Sequence, residues 1–225
     1  ISYVMAGGVV AAICGPELAR QTHDLVPAYT YIASYASLSL LATVALLVLS
    51  FIQIPRLTAE ERRETGRPWL VIVRQPVFIV AVLSAVVGYA SMTLVMTATP
   101  LAMAICNHGF DETAFVIQWH ALGMFAPSFI TGHLIRRVGV LNIILVGCVI
   151  EVVAVLTNLH GISFLHFAIA LGLLGVGWNF MFIGGTTLVI EACEPSEQAK
   201  TQAINDFLIF GSVAVSTFVS GNLLY

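Results

Sequence analysis

Apolar residues run along this chain in seven long stretches, residues 1–19, 31–52, 77–105, 114–135, 140–159, 164–190 and 202–225, parted by short polar segments. The hydrocarbon core of a bilayer takes about 20 predominantly apolar residues as a helix. None of the stretches alternates as a strand would, and an open sheet edge leaves backbone groups unpaired in lipid. Each stretch therefore predicts a spanning helix. Composition supports this: 59% of residues are hydrophobic and 9% charged, with a mean hydropathy of +0.96, whereas a soluble domain carries roughly 25% charged residues. Nine Lys and Arg against twelve Asp and Glu give a net charge of −3, which leaves no basic face for nucleic acid. The chain reads as an all-α integral membrane protein.

The polar connections set the orientation. Eight of the nine basic residues fall in the second, fourth and sixth connections: Arg56, Arg62, Arg63, Arg67 and Arg74, then Arg136 and Arg137, then Lys200. The odd connections hold Arg20 alone. By the positive-inside rule the even connections are cytoplasmic, with Arg62 and Arg136 on one side and Asp111 on the other. The second connection carries the polar run Thr58-Ala-Glu-Glu-Arg-Arg-Glu-Thr65, then Gly66, Pro68 and an amphipathic segment from Trp69 to Arg74. It predicts a cytoplasmic linker with a short surface helix. Runs that begin at Ile1 and stop at Tyr225 without a charged flank predict a longer parent chain.

Chemistry narrows the class. Zinc proteolysis needs H-E-x-x-H, and none of His23, His108, His120, His133, His160 and His166 has such a partner. A nucleophile elbow, a P-loop and a dinucleotide fingerprint are absent from the sequence. Cys14, Cys106, Cys148 and Cys193 are scattered without ligand spacing. No enzyme, metal site or cofactor is predicted. A transporter is favoured, with a catalytically silent membrane scaffold as the reading from another class. Among the helix breakers, Gly15-Pro16 predicts the end of the first helix and Pro127 a kink within the fourth. Small residues crowd the first run (Gly7, Gly8, Ala11, Ala12) and the sixth (Ala168, Gly172, Gly175, Gly177), where they allow close helix packing.

Several segments resemble the major facilitator superfamily. Gly132-His-Leu-Ile-Arg-Arg-Val-Gly139 is similar to the second copy of its loop motif, G-x-x-x-D-R-x-G: Gly132, Arg137 and Gly139 match, and Arg136 stands at the acidic position. Ala11-Ala-Ile-Cys-Gly-Pro16 resembles its G-x-x-x-G-P-x-x-G-G motif through Gly15 and Pro16, with Ala11, Ala19 and Arg20 in place of the other glycines. The long basic connection falls where that family joins its two halves. The resemblance implies seven helices of a twelve-helix bundle: residues 1–52 as the last two helices of the N-terminal half, 53–76 as the cytoplasmic linker, and 77–225 as the first five helices of the C-terminal half. Met96-Thr-Ala-Thr-Pro100, Gln118-Trp-His120 and Met124-Phe-Ala-Pro-Ser128 look similar to a bacterial branch that includes riboflavin carriers. The implied activity is secondary active transport of a small organic solute by alternating access across the cytoplasmic membrane, with protons as the coupling ion.

Polar residues at bilayer depth are the candidate site, since each is costly there unless compensated. At about 1.5 Å of rise per residue, Trp178 and Asn179 reach the middle of the sixth run, and Tyr89 and Thr93 the middle of the third. They offer an amide and aromatic faces to a planar polar solute, and an interhelical hydrogen bond for Asn179 with packing for Trp178 is the structural alternative. Gln118 and His120 lie one to two turns below the outer surface. His120 can take up a proton near neutral pH, or sit neutral, bonded to a neighbouring helix. Glu151 is the lone carboxylate in the middle of an apolar run, either a proton-exchange site or a structural partner on a helix the resemblance makes peripheral. Asp206 near the cytoplasmic start of the last run is either a helix cap or an inner-gate latch to a basic connection, a gating role shared with Gly15, Pro16, Gly132, Arg136, Arg137 and Gly139.

Overall fold

The computed structural model describes residues 2–53 and 66–223, with side chains for residues 6–53 and 66–220. The described residues form nine α-helices, in order: α1 (Ser2–Thr22), α2 (Ile32–Ser50), α3 (Trp69–Val73), α4 (Pro76–Ile105), α5 (Phe110–Phe125), α6 (Ser128–Val138), α7 (Val140–His160), α8 (Phe164–Glu191) and α9 (Gln198–Leu223), the last preceded by a 3₁₀ turn, Pro195–Glu197. Among the described residues there is no strand. Ile1, Tyr225, Arg56, Arg62, Arg63 and the polar run up to Thr65 lie outside them.

The helices match the apolar runs closely. By length and composition, α2, α4, α7, α8 and the α9 segment can each cross a membrane, and α5 with α6 makes a sixth, bent by 41°. The expected seven is therefore five to six among the described residues; α1, 21 residues long, stands outside that set. The break predicted at Pro127 is present, because proline has no N–H to continue the ladder. The end predicted at Gly15-Pro16 is not. Helix α1 runs through Pro16 to Thr22, and side-chain bonds line the turn that follows. Glu17 accepts from Arg20 and Gln21, and the Thr22 hydroxyl donates to the Leu18 carbonyl.

Helix α8 is the centre of the bundle and packs against α4, α5 and α7. Its small residues let backbones meet, as their spacing predicts. A Cβ on Gly175 would lie 2.3 Å from the His120 carbonyl oxygen, and one on Gly123 of α5 would lie 2.6 Å from the Gly172 carbonyl. The stripe on α1 behaves differently: Gly8 closes on Phe125, whereas Gly7 and Gly15 meet nothing within 4 Å. Large apolar side chains such as Leu145, Leu156 and Phe218 face outward, as a lipid-facing surface requires. The connections sort to opposite ends. Arg67 and Gln75 bond to the Ala192–Glu197 turn, while His108 bonds to Ile162 and Arg20 approaches Asp111. Even connections thus meet even ones, and odd meet odd.

Candidate functional site

At mid-depth, Tyr89 of α4 meets Trp178 and Phe182 of α8. The Tyr89 ring stands edge-on to Trp178 at 5.2 Å and to Phe182 at 5.8 Å, and Trp178 stacks on Phe182 at 4.7 Å and 11°. Such offset and edge-on pairs use the opposed charge of ring face and edge. Trp178 is 3% exposed and its indole N–H is buried without an acceptor, while Tyr89 and Phe182 are half-buried. Thr93 lies one turn along α4 from Tyr89. Phe182 was not singled out from the sequence, although its place one turn after Trp178 was a usable signal.

Asn179 points elsewhere. It is wholly enclosed and brackets the α5–α6 break. Its amide NH₂ donates to the Met124 carbonyl at 2.6 Å and to the Ser128 hydroxyl at 2.6 Å, and its carbonyl accepts from the Thr131 hydroxyl at 2.7 Å. The Pro127 break loosens the backbone ladder there, and Asn179 supplies a partner from the neighbouring helix. His120 is 1% exposed, with Nδ1 2.9 Å from the Leu171 carbonyl and Nε2 buried without a partner. Gln118 donates to the Ile13 carbonyl of α1 at 3.0 Å. The six residues proposed from sequence to meet solute therefore do not converge: Tyr89 and Trp178 share one cluster with Thr93 one turn along α4, Asn179 joins the bend, His120 faces α8 and Gln118 ties α5 to α1.

Glu151 of α7 is buried in the seam between α4 and α8. Its Oε2 lies 2.6 Å from the Ser91 hydroxyl of α4, and its Oε1 is buried without a partner. Glycines make the slot: a Cβ on Gly177 would fall 2.7 Å from the Glu151 Cγ.

The two ends carry the charges. At one end, Glu197 is wholly buried and accepts four hydrogen bonds: from the Arg67 amide at 2.6 Å, the Arg67 Nε at 2.8 Å and Nη2 at 2.6 Å, and the Glu194 amide at 3.0 Å. Arg67 Nη2 and the Gln75 amide both donate to the Ala192 carbonyl, and Lys200 donates to the Arg67 carbonyl. The Arg67 guanidinium, helped by the Glu194 amide, holds the Glu197 carboxyl far below the usual carboxylate range, and Glu197 in turn raises Arg67. Gly66 turns the chain with φ +57°, and a Cβ there would lie 2.4 Å from the Glu197 Cγ. This latch joins a basic connection to the turn before the last helix, while Asp206 accepts from Gln202 at 2.6 Å within α9. Arg67, Gln75 and Glu197 were missed as a site; only the fold brings them together. Gly139, with φ +88°, ends α6, and Arg136 and Arg137 are exposed in its last turn.

At the other end, the His23 ring stacks on Phe110 at 4.6 Å, and Arg20 lies 3.9 Å from Asp111. Gly15 and Pro16 line a cleft between α1 and α5 with Tyr31, His108 and Phe110. Both His108 ring nitrogens face acceptors, the Ile162 carbonyl and a Glu112 carboxylate oxygen, each at 2.9 Å. These contacts, the Ile162 carbonyl first, raise its pKa above the ordinary histidine value.

The profile of the Major Facilitator Superfamily matches residues 1–217. The riboflavin transporter RfnT of Brucella anthropi is 44% identical over the whole of this chain, which covers 57% of that protein. Two uncharacterized MFS-type transporters of Bacillus subtilis, YddS and YdeG, are 37% and 36% identical over 58% and 59% of the chain, covering 30% and 31% of their own lengths. The chain thus spans little more than half the length of the first of these relatives. No solved structure matches. With its apolar helices, its loop-motif residues and this full-length match, the chain is a multi-pass membrane protein belonging to the Major Facilitator Superfamily.

Proposed function

We propose that the parent protein is a secondary transporter that carries riboflavin, or a solute with the same flat heteroaromatic ring, across the cytoplasmic membrane by alternating access, driven by a proton gradient. The observation that carries this reading is the 44% identity to a riboflavin transporter along the entire chain. The Tyr89–Trp178–Phe182 cluster supports it with suitable chemistry. A planar ring stacks on aromatic faces, and an unpaired indole N–H favours a ring carbonyl as acceptor. Trp178 is enclosed in this conformation, so the half-buried Tyr89 and Phe182 are the faces a solute meets first. Carriers built from repeats hold their solute near the midplane between two halves. In this reading α4, α8 and α9 form one wall, and Gln118 with the Arg20–Asp111 approach belongs to the outer contact between halves.

The test is uptake of labelled riboflavin by the parent protein in proteoliposomes, with and without an imposed proton gradient. The expected result is saturable uptake that rises with the gradient and falls in Trp178→Ala. Absence of uptake above protein-free vesicles would return the chain to the scaffold reading, and uptake indifferent to the gradient would remove the proton from it.

A further inference from the structure

The hydrogen bonds around Ser91 do not balance if Glu151 is ionised. A serine hydroxyl has one hydrogen to donate. The Ser91 Oγ lies 2.8 Å from the Val87 carbonyl oxygen, 3.2 Å from the Gly88 carbonyl oxygen and 2.6 Å from Glu151 Oε2. With a carboxylate at 151, all three are acceptors competing for that hydrogen, and Oε1 still has no partner. An ion buried at this depth with half its acceptors bare is costly. With a neutral acid the count closes. The acid O–H on Oε2 donates to Ser91 Oγ, the Ser91 hydroxyl donates to the Val87 carbonyl, and Oε1 becomes the carbonyl oxygen, the group of the set least harmed by lacking a partner.

The surroundings favour the neutral form. Among the described residues Glu151 is in no ion pair. On its own helix the titratable neighbour is Cys148, whose thiol contacts the Met181 sulfur at 3.8 Å. Helix α8 presents Gly177 to it, and α4 presents Gly88 and Ser91, while Tyr89 is turned toward Trp178. No lysine, arginine or histidine is described in contact with the carboxyl. The slot is also shaped for it, because Gly177 and Gly88 leave the space its stem and Oε1 occupy.

We infer that Glu151 is a proton-binding site, a neutral carboxylic acid that shares its proton with Ser91 and releases it to water when the α4–α7 contact parts. Ser91 and Gly177 belong to the same turns of α4 and α8 as Tyr89 and Trp178, so a ring entering the aromatic cluster shifts the walls of the proton slot. That second step rests on the transport reading above; the protonated state does not.

Infrared difference spectroscopy on the parent protein in nanodiscs separates the two. The wild type should show, at neutral pH, the carbonyl stretch of a protonated carboxylic acid that Glu151→Gln lacks. Ser91→Ala, which keeps the acid and removes its acceptor, should move that band to higher frequency. Identical spectra for wild type and Glu151→Gln would overturn the protonated acid, whatever the protein transports. Added riboflavin should diminish the band, and riboflavin uptake should lose its pH response in Glu151→Gln. A wild-type pH profile in Glu151→Gln would overturn the coupling. Absence of uptake in the wild type would remove the transport reading and leave the infrared result standing.

Discussion

Asn179 and Glu151 are both buried polar side chains near the middle of adjacent helices, yet one is complete and the other is not. Each amide hydrogen of Asn179 has an acceptor, and its oxygen faces the Thr131 hydroxyl, whose one hydrogen is shared with the Pro127 carbonyl, all on the α5–α6 break. Glu151 has one partner and one bare oxygen. A fully satisfied polar group in low dielectric has one good arrangement and makes a fixed joint. A half-satisfied acid has two forms, with and without its proton, that require different surroundings. The contrast separates a residue that holds the bundle's shape from one suited to change with it.

The sharpest way to break the contrast is to make both sites apolar. Asn179→Leu should lower stability by about 2–4 kcal/mol, since each buried group left unpaired costs about 1–3 kcal/mol and several lose their partner together. Thermal unfolding in detergent measures it, and an unchanged midpoint would deny Asn179 its bracing role. Gly177→Ala should cost about 1–3 kcal/mol, the usual range for an inserted methyl group in a packed seam. The new Cβ must displace the Glu151 stem at 2.7 Å and the Gly147 carbonyl at 3.0 Å. The proton slot is then distorted while Asn179 keeps its bonds. Glu151→Leu should change stability by less than about 1 kcal/mol, because only one hydrogen bond is removed and Ser91 keeps the Val87 carbonyl. A loss as large as that of Asn179→Leu would erase the distinction between the two.

The remaining effects are local ones at the two ends. Glu197 has a depressed pKa in the folded protein, so its contribution is present above the ordinary carboxylate value and is lost only as pH falls through the depressed one. Hydrogen exchange at the Arg67 amide should therefore stay slow through mild acid in the wild type and be fast in Glu197→Gln. His108 has the opposite sign. Its pKa is raised, so the tie between the α4–α5 turn and Ile162 is complete below the ordinary histidine value and weakens as pH climbs through the raised one. Proton NMR of the His108 ring measures that midpoint, and an ordinary histidine value would remove the tie.

Much of this was legible in the residue order, because lipid imposes one-dimensional rules. Run length announced the helices, Pro127 announced the bend, and depth counting brought Tyr89 and Trp178 level before any contact was known. Gly15-Pro16 misled, since a proline removes one bond of the ladder and does not by itself end the helix, which continues to Thr22. The bracket at Asn179 was half visible: an interhelical bond was one of its two readings, but Ser128 and Thr131 lie some 50 residues away. The Arg67–Glu197 latch was invisible. Nothing in a charge count tells a buried, fully bonded glutamate from an exposed one, so attention fell on Asp206, the carboxylate in the helix that follows.

The latch has a mechanical meaning for the start of α4. Arg67 is fastened by side chain and backbone to a residue 130 positions away, and α4 begins only nine residues later, at Pro76. A pull on Arg67 is therefore taken up at the Ala192–Glu197 turn and not at the start of α4. A displacement of Arg67 is delivered as a force on the foot of α9, with α8 on the other side of the turn.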